Sequence, residues 1–249
     1  LKDIEADIFY QRVVEAEKNY RKTLFAKYGV QFKLKPPADH REPEQFNSQF
    51  PLYRPPLAGD GLNDQGTVVG PPSRGAGSSP VVLEVFSDFL CPYSKEFSGT
   101  LNEIQKKYPG KVRVVYHHFP LPSHEGADGM AQASACAQEQ GKFWEIHDRL
   151  MASTDKQDKP ALMKLADELG LEKTRFQSCL DSAKYKTWVD YETDTAKAIG
   201  FTGTPGFLVN GRASTGVMSM ESLSKLVDWA LKPSGPYPGA KVNLPEAVS

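Results

Sequence analysis

The stretch SDFLCPYSKEF, residues 87–97, joins a run of strand-forming residues to a run with helical periodicity. The apolar segment VVLEVF (81–86) precedes it, and apolar residues at helical spacing follow it as far as Tyr108. Cys91 stands at the junction, directly before Pro92. Proline is favoured in the first turn of a helix, because its missing N–H would have no partner there. The sequence therefore predicts that Cys91 caps a helix N-terminus.

A cysteine at the start of a helix is a candidate nucleophile. Unpaired amide N–H groups and the positive end of the helix dipole stabilise a thiolate at that position. The alternative is a buried and inert cysteine. Three residues after Cys91, Ser94 occupies the position at which a Cys-x-x-Cys pair carries its second sulfur. A lone thiol cannot store two electrons as an internal disulfide, so its partner must come from another molecule.

The chain after residue 108 alternates between strand and helix patterns. KVRVVYHHF (111–119) is β-branched and predicts a second strand, which completes a β-α-β unit. Helical patterns fill residues 126–200, and GFLVNG (206–211) and MESLSKLVDWAL (220–231) predict a last strand and a last helix. Strand patterns on both sides of a helical block indicate helices inserted into an α/β domain.

The motifs EVFSDFLCPYS (84–94) and FTGTPGFLVNG (201–211), with the helical block between them, resemble the DsbA-like branch of the thioredoxin superfamily. The resemblance covers about residues 80–231. It implies a thioredoxin fold with a helical insertion, a peptide-binding groove beside the redox cysteine, and thiol–disulfide exchange. It also implies an oxidising, extracytoplasmic compartment, either periplasmic or secreted.

The resemblance assigns the site residues by position. The redox cysteine falls on Cys91, and a cis-proline beside it falls on Pro205. The expected catalytic residues are Cys91, Ser94 and Pro205, and the expected substrate-binding residues are Pro92, Tyr93, Thr204 and Gly206.

Three positions depart from the family pattern. Ser94 replaces the resolving cysteine, so no disulfide forms within the motif. Relatives usually carry a glutamate six residues before the cysteine, where this chain has Val85, with Glu84 beside it. Adjacent strand residues face opposite sides, so we expect the buried proton acceptor to be absent unless a bulge shifts the register. Gly206 stands where a bulkier residue is common, and we expect it to widen the groove.

The other two of the three cysteines lie in the helical block. Cys136 and Cys179 are each on the apolar side of a predicted helix, and an odd count leaves Cys91 as the single free thiol if the two pair. We therefore predict a structural disulfide between Cys136 and Cys179. The alternative is two buried, reduced cysteines.

Composition divides the chain into segments. Residues 1–35 predict an amphipathic helix that packs either on its own domain or as a homodimerisation arm. Residues 36–79 are proline-rich and predict an extended arm that holds neither helix nor central strand. The DsbA-like domain is expected over residues 80–235, with its helical insertion at about 124–194, and a tail follows over 236–249.

The remaining polar residues indicate neither a metal site nor a cofactor. His117 and His118 are adjacent on a strand, so their side chains diverge and cannot chelate one ion together. His124 is interpreted as a loop or capping residue, and His147 as a half-buried histidine on an apolar helix. Asp88 either tunes Cys91 or is a solvated surface residue.

Charge and hydropathy narrow the function further. A net charge of −1 argues against nucleic-acid binding, and no apolar run reaches the length of a membrane span or a signal peptide. We predict a thiol–disulfide oxidoreductase that acts on cysteine-containing proteins, as a monothiol isomerase or reductase with glutathione or another redox protein. It is alternatively a dithiol oxidase whose second cysteine was replaced, or a peptide-binding or chaperone module without redox turnover.

Overall fold

The computed structural model describes residues 70–154, 156–232 and 238. The predicted helix over 1–35, the arm as far as residue 69 and, apart from Pro238, the tail lie outside the described residues. Within the described part of the chain there are five strands and seven helices. The strands are β1 (Ser73–Arg74), β2 (Val81–Ser87), β3 (Val112–His118), β4 (Gly206–Val209) and β5 (Arg212–Thr215). The helices are α1 (Pro92–Lys107), α2 (Ala127–Gln138), α3 (Phe143–Ala152), α4 (Lys159–Glu168), α5 (Lys173–Asp181), α6 (Lys186–Ile199) and α7 (Met220–Leu231).

The strands form one mixed sheet with the order β1-β3-β2-β4-β5. The central pair β2 and β3 is parallel and is joined by α1, so the predicted β-α-β unit is confirmed. β4 pairs antiparallel with β2 and places the segment around Pro205 beside the end of that strand. The predicted α/β fold with a helical insertion is therefore confirmed.

Side chains along β2 alternate between the two faces of the sheet, and every second one faces α1 and α7. Val81, Leu83 and Val85 are buried on the face that α1 and α7 cover. Each fully buried side chain of this size contributes roughly 1.5–3 kcal/mol. Other members of the same cluster are Phe97, Leu101, Ile104, Phe207, Leu223 and Val227.

The helical insertion has a core of its own, built from α2 to α5. The 126–151 pattern forms two helices rather than one, because Gly141 adopts a φ of 69° and ends the first of them. A left-handed backbone at this position suits glycine, which has no Cβ. The buried side chains here include Met130, Phe143, Ile146, Leu150 and Phe176.

The end of the proline-rich arm belongs to this domain. Ser73 and Arg74 pair with β3 at the edge of the sheet, and the Arg74 guanidinium lies 4.3 Å from the centre of the Trp144 ring. The Trp144 indole N–H also donates a hydrogen bond of 3.2 Å to the Ser73 carbonyl. The domain therefore begins before Pro80, which was the boundary that composition indicated. The prolines beside β1 are tolerated because it is an edge strand of only two residues.

Candidate functional site

The structure places Cys91 at the N-terminal cap of α1, with Pro92 in the first turn. The Cys91 amide donates to the Asp88 carbonyl at 3.2 Å, and the Lys95 amide donates to the Cys91 carbonyl at 3.1 Å. No described side chain caps the first-turn amides of α1. These amides and the helix dipole therefore lie beside the cysteine.

The loop before β4 completes the site from the other side. The Cys91 thiol donates a hydrogen bond of 3.3 Å to the Thr204 carbonyl, and the Thr204–Pro205 peptide bond is cis. Pro205 and Gly206 are buried next to this contact. The structure thus brings together the two motifs that sequence analysis associated with each other.

The four residues of the CPYS motif divide into an inner pair and an outer pair. Cys91 and Ser94 are 3% and 2% exposed, whereas Pro92 and Tyr93 face solvent. Tyr93 is 62% exposed, which makes it a large apolar surface directly beside the thiol. The Ser94 hydroxyl accepts a hydrogen bond of 3.4 Å from the Asp88 amide, so it is part of the turn that carries Cys91.

A small cavity of about 20 Å³ lies beside Ser94, which is room for about one water molecule. Ser87, Ser98 and His147 contribute polar groups to its wall, and Val85 contributes an apolar one. Val85 therefore faces the motif, at the position where relatives usually carry a glutamate.

Glu84 points to the opposite face of the sheet. The β2–β3 register is continuous, with Glu84 opposite Val115 and Val85 opposite Tyr116, so no bulge turns the carboxylate towards Cys91. Glu84 instead lies 3.4 Å from His117.

His117 lies between two buried carboxylates. Its Nδ1 is 3.1 Å from a Glu192 oxygen, and its Nε2 is the atom that approaches Glu84. Burial alone would lower the pKa of His117, but hydrogen bonds to Glu192 and Glu84 raise it to about 9. His118 is also buried, and that burial lowers its pKa to about 4. The side chains of the two histidines diverge across β3, yet Glu192 approaches both, with His118 Nε2 at 3.9 Å.

Two single-residue interpretations need correction. Asp88 is 1% exposed, so the solvated surface role is wrong, because backbone amides and His124 take up its carboxylate oxygens. His147 is buried rather than half-buried, since α3 packs it against the aromatic side chains of the insertion, where it bonds Asp148 at 2.8 Å. His124 lies in a loop, and its imidazole bonds Asp88.

Gly206 does not widen the groove. A Cβ built at this position would lie 2.5 Å from the Phe201 ring, which fills the space that a larger residue would occupy. Sequence analysis missed Phe201, although it begins the very motif that carries Pro205.

Cys136 of α2 and Cys179 of α5 are joined by a disulfide, with their Cα atoms 5.9 Å apart. Cys91 is the free cysteine. The bridge lies within the core of the insertion, away from the thiol.

The described residues show neither a metal-binding cluster nor a membrane-spanning helix. No group of three or more histidine, cysteine or acidic side chains there has an arrangement that could hold a metal ion. No helix in the described ranges has the length and hydropathy that a membrane crossing requires.

Comparison with known proteins identifies the fold family. A family model described as thioredoxin matches residues 67–229, which is more than half of the chain. The curated relative Na(+)/H(+) antiporter NhaA 3 from Salinispora tropica is 36% identical over 155 residues, covering 62% of this chain and 24% of its own. The chain thus spans about a quarter of the length of that relative.

Solved structures agree with the family model. The crystal structure of a thioredoxin-like oxidoreductase from Silicibacter pomeroyi has a TM-score of 0.60 and 28% identity, and the match covers 66% of this chain and 94% of that one. The thiol-disulfide exchange protein alpha-DsbA2 from Wolbachia pipientis has the same fold, with a TM-score of 0.57 and 17% identity, over 64% of this chain and 86% of that one. This chain therefore belongs to the thioredoxin family, and its fold is that of the DsbA-like proteins.

Proposed function

We propose that this protein catalyses thiol–disulfide exchange on cysteine-containing protein substrates through the single nucleophile Cys91, as a monothiol isomerase or reductase. The observation that supports this best is the position of the sulfur. It lies at the N-terminus of α1 and contacts the Thr204 carbonyl beside a cis-proline, with no second sulfur within the motif. The thiolate is the attacking species in exchange.

The chemistry has two exchange steps. In the first, the Cys91 thiolate attacks a substrate disulfide, so a bond forms between Cys91 and one substrate sulfur while the substrate S–S bond breaks. The other substrate sulfur leaves as a thiolate and takes up a proton. In the second, an external thiolate attacks the substrate sulfur of this mixed disulfide and displaces Cys91 as a thiolate.

The source of the second thiolate decides the net reaction. A cysteine of the same client gives isomerisation. A small thiol such as glutathione first leaves the client sulfur in a mixed disulfide with glutathione, and a second glutathione thiolate then releases the client thiol and forms oxidised glutathione, which completes reduction. Another redox protein with two thiols completes the reduction with its own second thiolate. Ser94 cannot act here, because exchange at sulfur requires an attacking thiolate. The mixed disulfide should therefore persist until another thiol arrives.

Surfaces next to the thiol suit an extended polypeptide. Tyr93 offers an exposed aromatic side chain, and the Thr204 hydroxyl is buried without a hydrogen-bond partner in the part of the chain that the structure describes. A peptide laid beside Pro205 would pack against the Tyr93 side chain. We assign Pro92, Tyr93 and Thr204 to this substrate surface, and Gly206, which is buried against Phe201, supports it from within.

We further propose that the protein works in an extracytoplasmic compartment. The Cys136–Cys179 disulfide supports this proposal, because such bridges persist mainly where the surroundings are oxidising.

The test is turnover of a scrambled-disulfide protein in the presence of glutathione. The wild type should accelerate recovery of the native client, Cys91→Ala should be inactive, and Ser98→Ala, one turn beyond Ser94, serves as the matched control. A purely peptide-binding module would act equally well as wild type and as Cys91→Ala, and that result would overturn the proposal.

A further inference from the structure

Asp88 is a buried carboxylate three residues before the nucleophile. It is 1% exposed, and burying a carboxylate is costly unless hydrogen bonds compensate for the lost water. One of its oxygens accepts from the Leu90 amide at 2.7 Å. The other accepts from the Leu121 amide at 2.8 Å and lies 2.8 Å from His124 Nδ1. The side chain therefore ties the turn before α1 to the loop after β3.

The backbone of the same residue contacts both inner positions of the motif. Its carbonyl accepts from the Cys91 amide at 3.2 Å, and its amide donates to the Ser94 hydroxyl at 3.4 Å. Any movement of Asp88 is consequently transmitted to Cys91 and Ser94 together.

From these contacts we infer that Asp88, supported by His124, is a positioning residue for thiol–disulfide exchange at Cys91. This inference rests on the proposed function. The Cys91 sulfur must meet an incoming disulfide in a defined geometry, and a displacement of about 1 Å at a reacting group can cost roughly 100-fold in rate. Asp88 restricts that displacement by adding side-chain hydrogen bonds between the turn before α1 and the loop after β3.

His124 completes the support from the solvent side. A carboxylate only accepts hydrogen bonds, so Nδ1 of His124 donates to Asp88. The His124 side chain is 25% exposed, whereas that of Asp88 is fully buried, so the pair closes the carboxylate off from water. A glutamine at position 124 could still donate a hydrogen bond to Asp88, whereas an alanine could not.

The chain contains a matched control pair. Asp148 is also a carboxylate bonded to a histidine at 2.8 Å, through His147 Nδ1, but it lies on α3 and contacts neither Cys91 nor Ser94. Asp148→Asn therefore changes a second carboxylate–histidine pair, one whose carboxylate is about half exposed and also bonds Arg74, without touching the motif.

The experiment follows the release of glutathione from a glutathionylated peptide when Cys91 attacks its disulfide, as a function of pH. The limiting rate constant at high pH is compared, since Cys91 is then fully ionised and the negative charge of Asp88 no longer affects thiol ionisation. We expect Asp88→Asn to lower this limiting rate at least tenfold, because the side chain keeps one oxygen, so either the Leu90 amide or the Leu121 amide and His124 lose their acceptor. Asp148→Asn should stay within threefold of the wild type, and His124→Gln should react faster than His124→Ala.

The inference is overturned if Asp88→Asn stays within threefold of the wild type, or if Asp148→Asn falls as far. Should Asp88→Asn fail to fold, equal limiting rates for His124→Gln and His124→Ala would overturn it instead. If the wild type releases no more glutathione than Cys91→Ala, both the proposed function and this inference are wrong. If the wild type reacts and Asp88→Asn reacts equally fast, the inference alone is wrong.

Discussion

The sulfur of Cys91 lies 3.3 Å from the carbonyl oxygen of Thr204, although 113 residues separate the two along the chain. The pairing of β4 with β2 brings about this contact. β4 runs antiparallel to β2, so the loop before β4 lies at the end of β2 where Cys91 stands. Along the chain, the whole helical insertion lies between these two strands. The contact between the two motifs therefore depends on the pairing of β4 with β2.

Replacing Ser94 by cysteine should convert the protein into a dithiol oxidant. The two side chains differ mainly in one atom, and Ser94 lies one helical turn after Cys91 on the buried side of α1. In oxidised form, Ser94→Cys should transfer its disulfide to a reduced, unfolded client without an external oxidant, as thiol titration of the client would show. Ser98→Cys, a further turn away, is the control that should form no such disulfide. Equal oxidation of the client by the serine protein would contradict the monothiol mechanism.

The Glu84–His117–Glu192 cluster should make the free energy of unfolding fall as pH rises in the alkaline range. The pKa of His117 is about 9 in the folded protein, above its ordinary value of 6.5, so the folded state holds this proton more tightly than the unfolded state. The resulting stabilisation is fully present below pH 6.5 and is lost as pH rises through about 9. Its size is on the order of 3 kcal/mol, since one pKa unit corresponds to about 1.4 kcal/mol.

Urea unfolding of the wild type and His117→Gln at pH 6 and pH 10 measures this contribution. The difference between the two proteins in free energy of unfolding should be larger at pH 6 than at pH 10. Comparing proteins at each pH cancels the titration of lysines and tyrosines elsewhere. A difference that does not change with pH would show that His117 carries no extra proton in the folded state.

Gly206→Ala should destabilise the domain by overpacking against Phe201. The added Cβ would lie 2.5 Å from the ring, and both residues are buried, so the ring must move. The cost is about 1–3 kcal/mol in the free energy of unfolding. Gly203→Ala is the matched control, because a Cβ there meets no atom within 4 Å. If thermal melting ranks the two variants equally, the space above Gly206 is not filled as described.

The Cys136–Cys179 bridge should leave one reactive sulfur in the denatured, unreduced protein. Titration with a thiol reagent in guanidinium should count one thiol per chain for the wild type and none for Cys91→Ala. The bridge closes a sequence separation of 43 residues, and its removal should cost about 4 kcal/mol by the loop-entropy argument. Three titratable thiols would contradict the bridge.

Local patterns along the chain were sufficient to predict most of the fold. The β-branched run before Cys91, the proline after it and the helical periodicity that follows predicted β2, α1 and the cap between them. β5 was not predicted, because its four residues, RAST, are too short and polar to differ from a turn. β1 was hidden within a proline-rich segment, and only its pairing with β3 makes it a strand.

The sequence by itself determined the chemistry of the motif: one thiol at a helix start and a serine in place of the second thiol. The position of Pro205 beside them was implied by the family resemblance. The tertiary structure alone decided the surroundings of that thiol. It buried Asp88 beneath the motif, turned Glu84 away from Cys91 towards His117, and filled the space over Gly206 with Phe201. Local patterns depend on neighbouring residues, whereas burial and ionisation depend on contacts between strands and helices far apart along the chain.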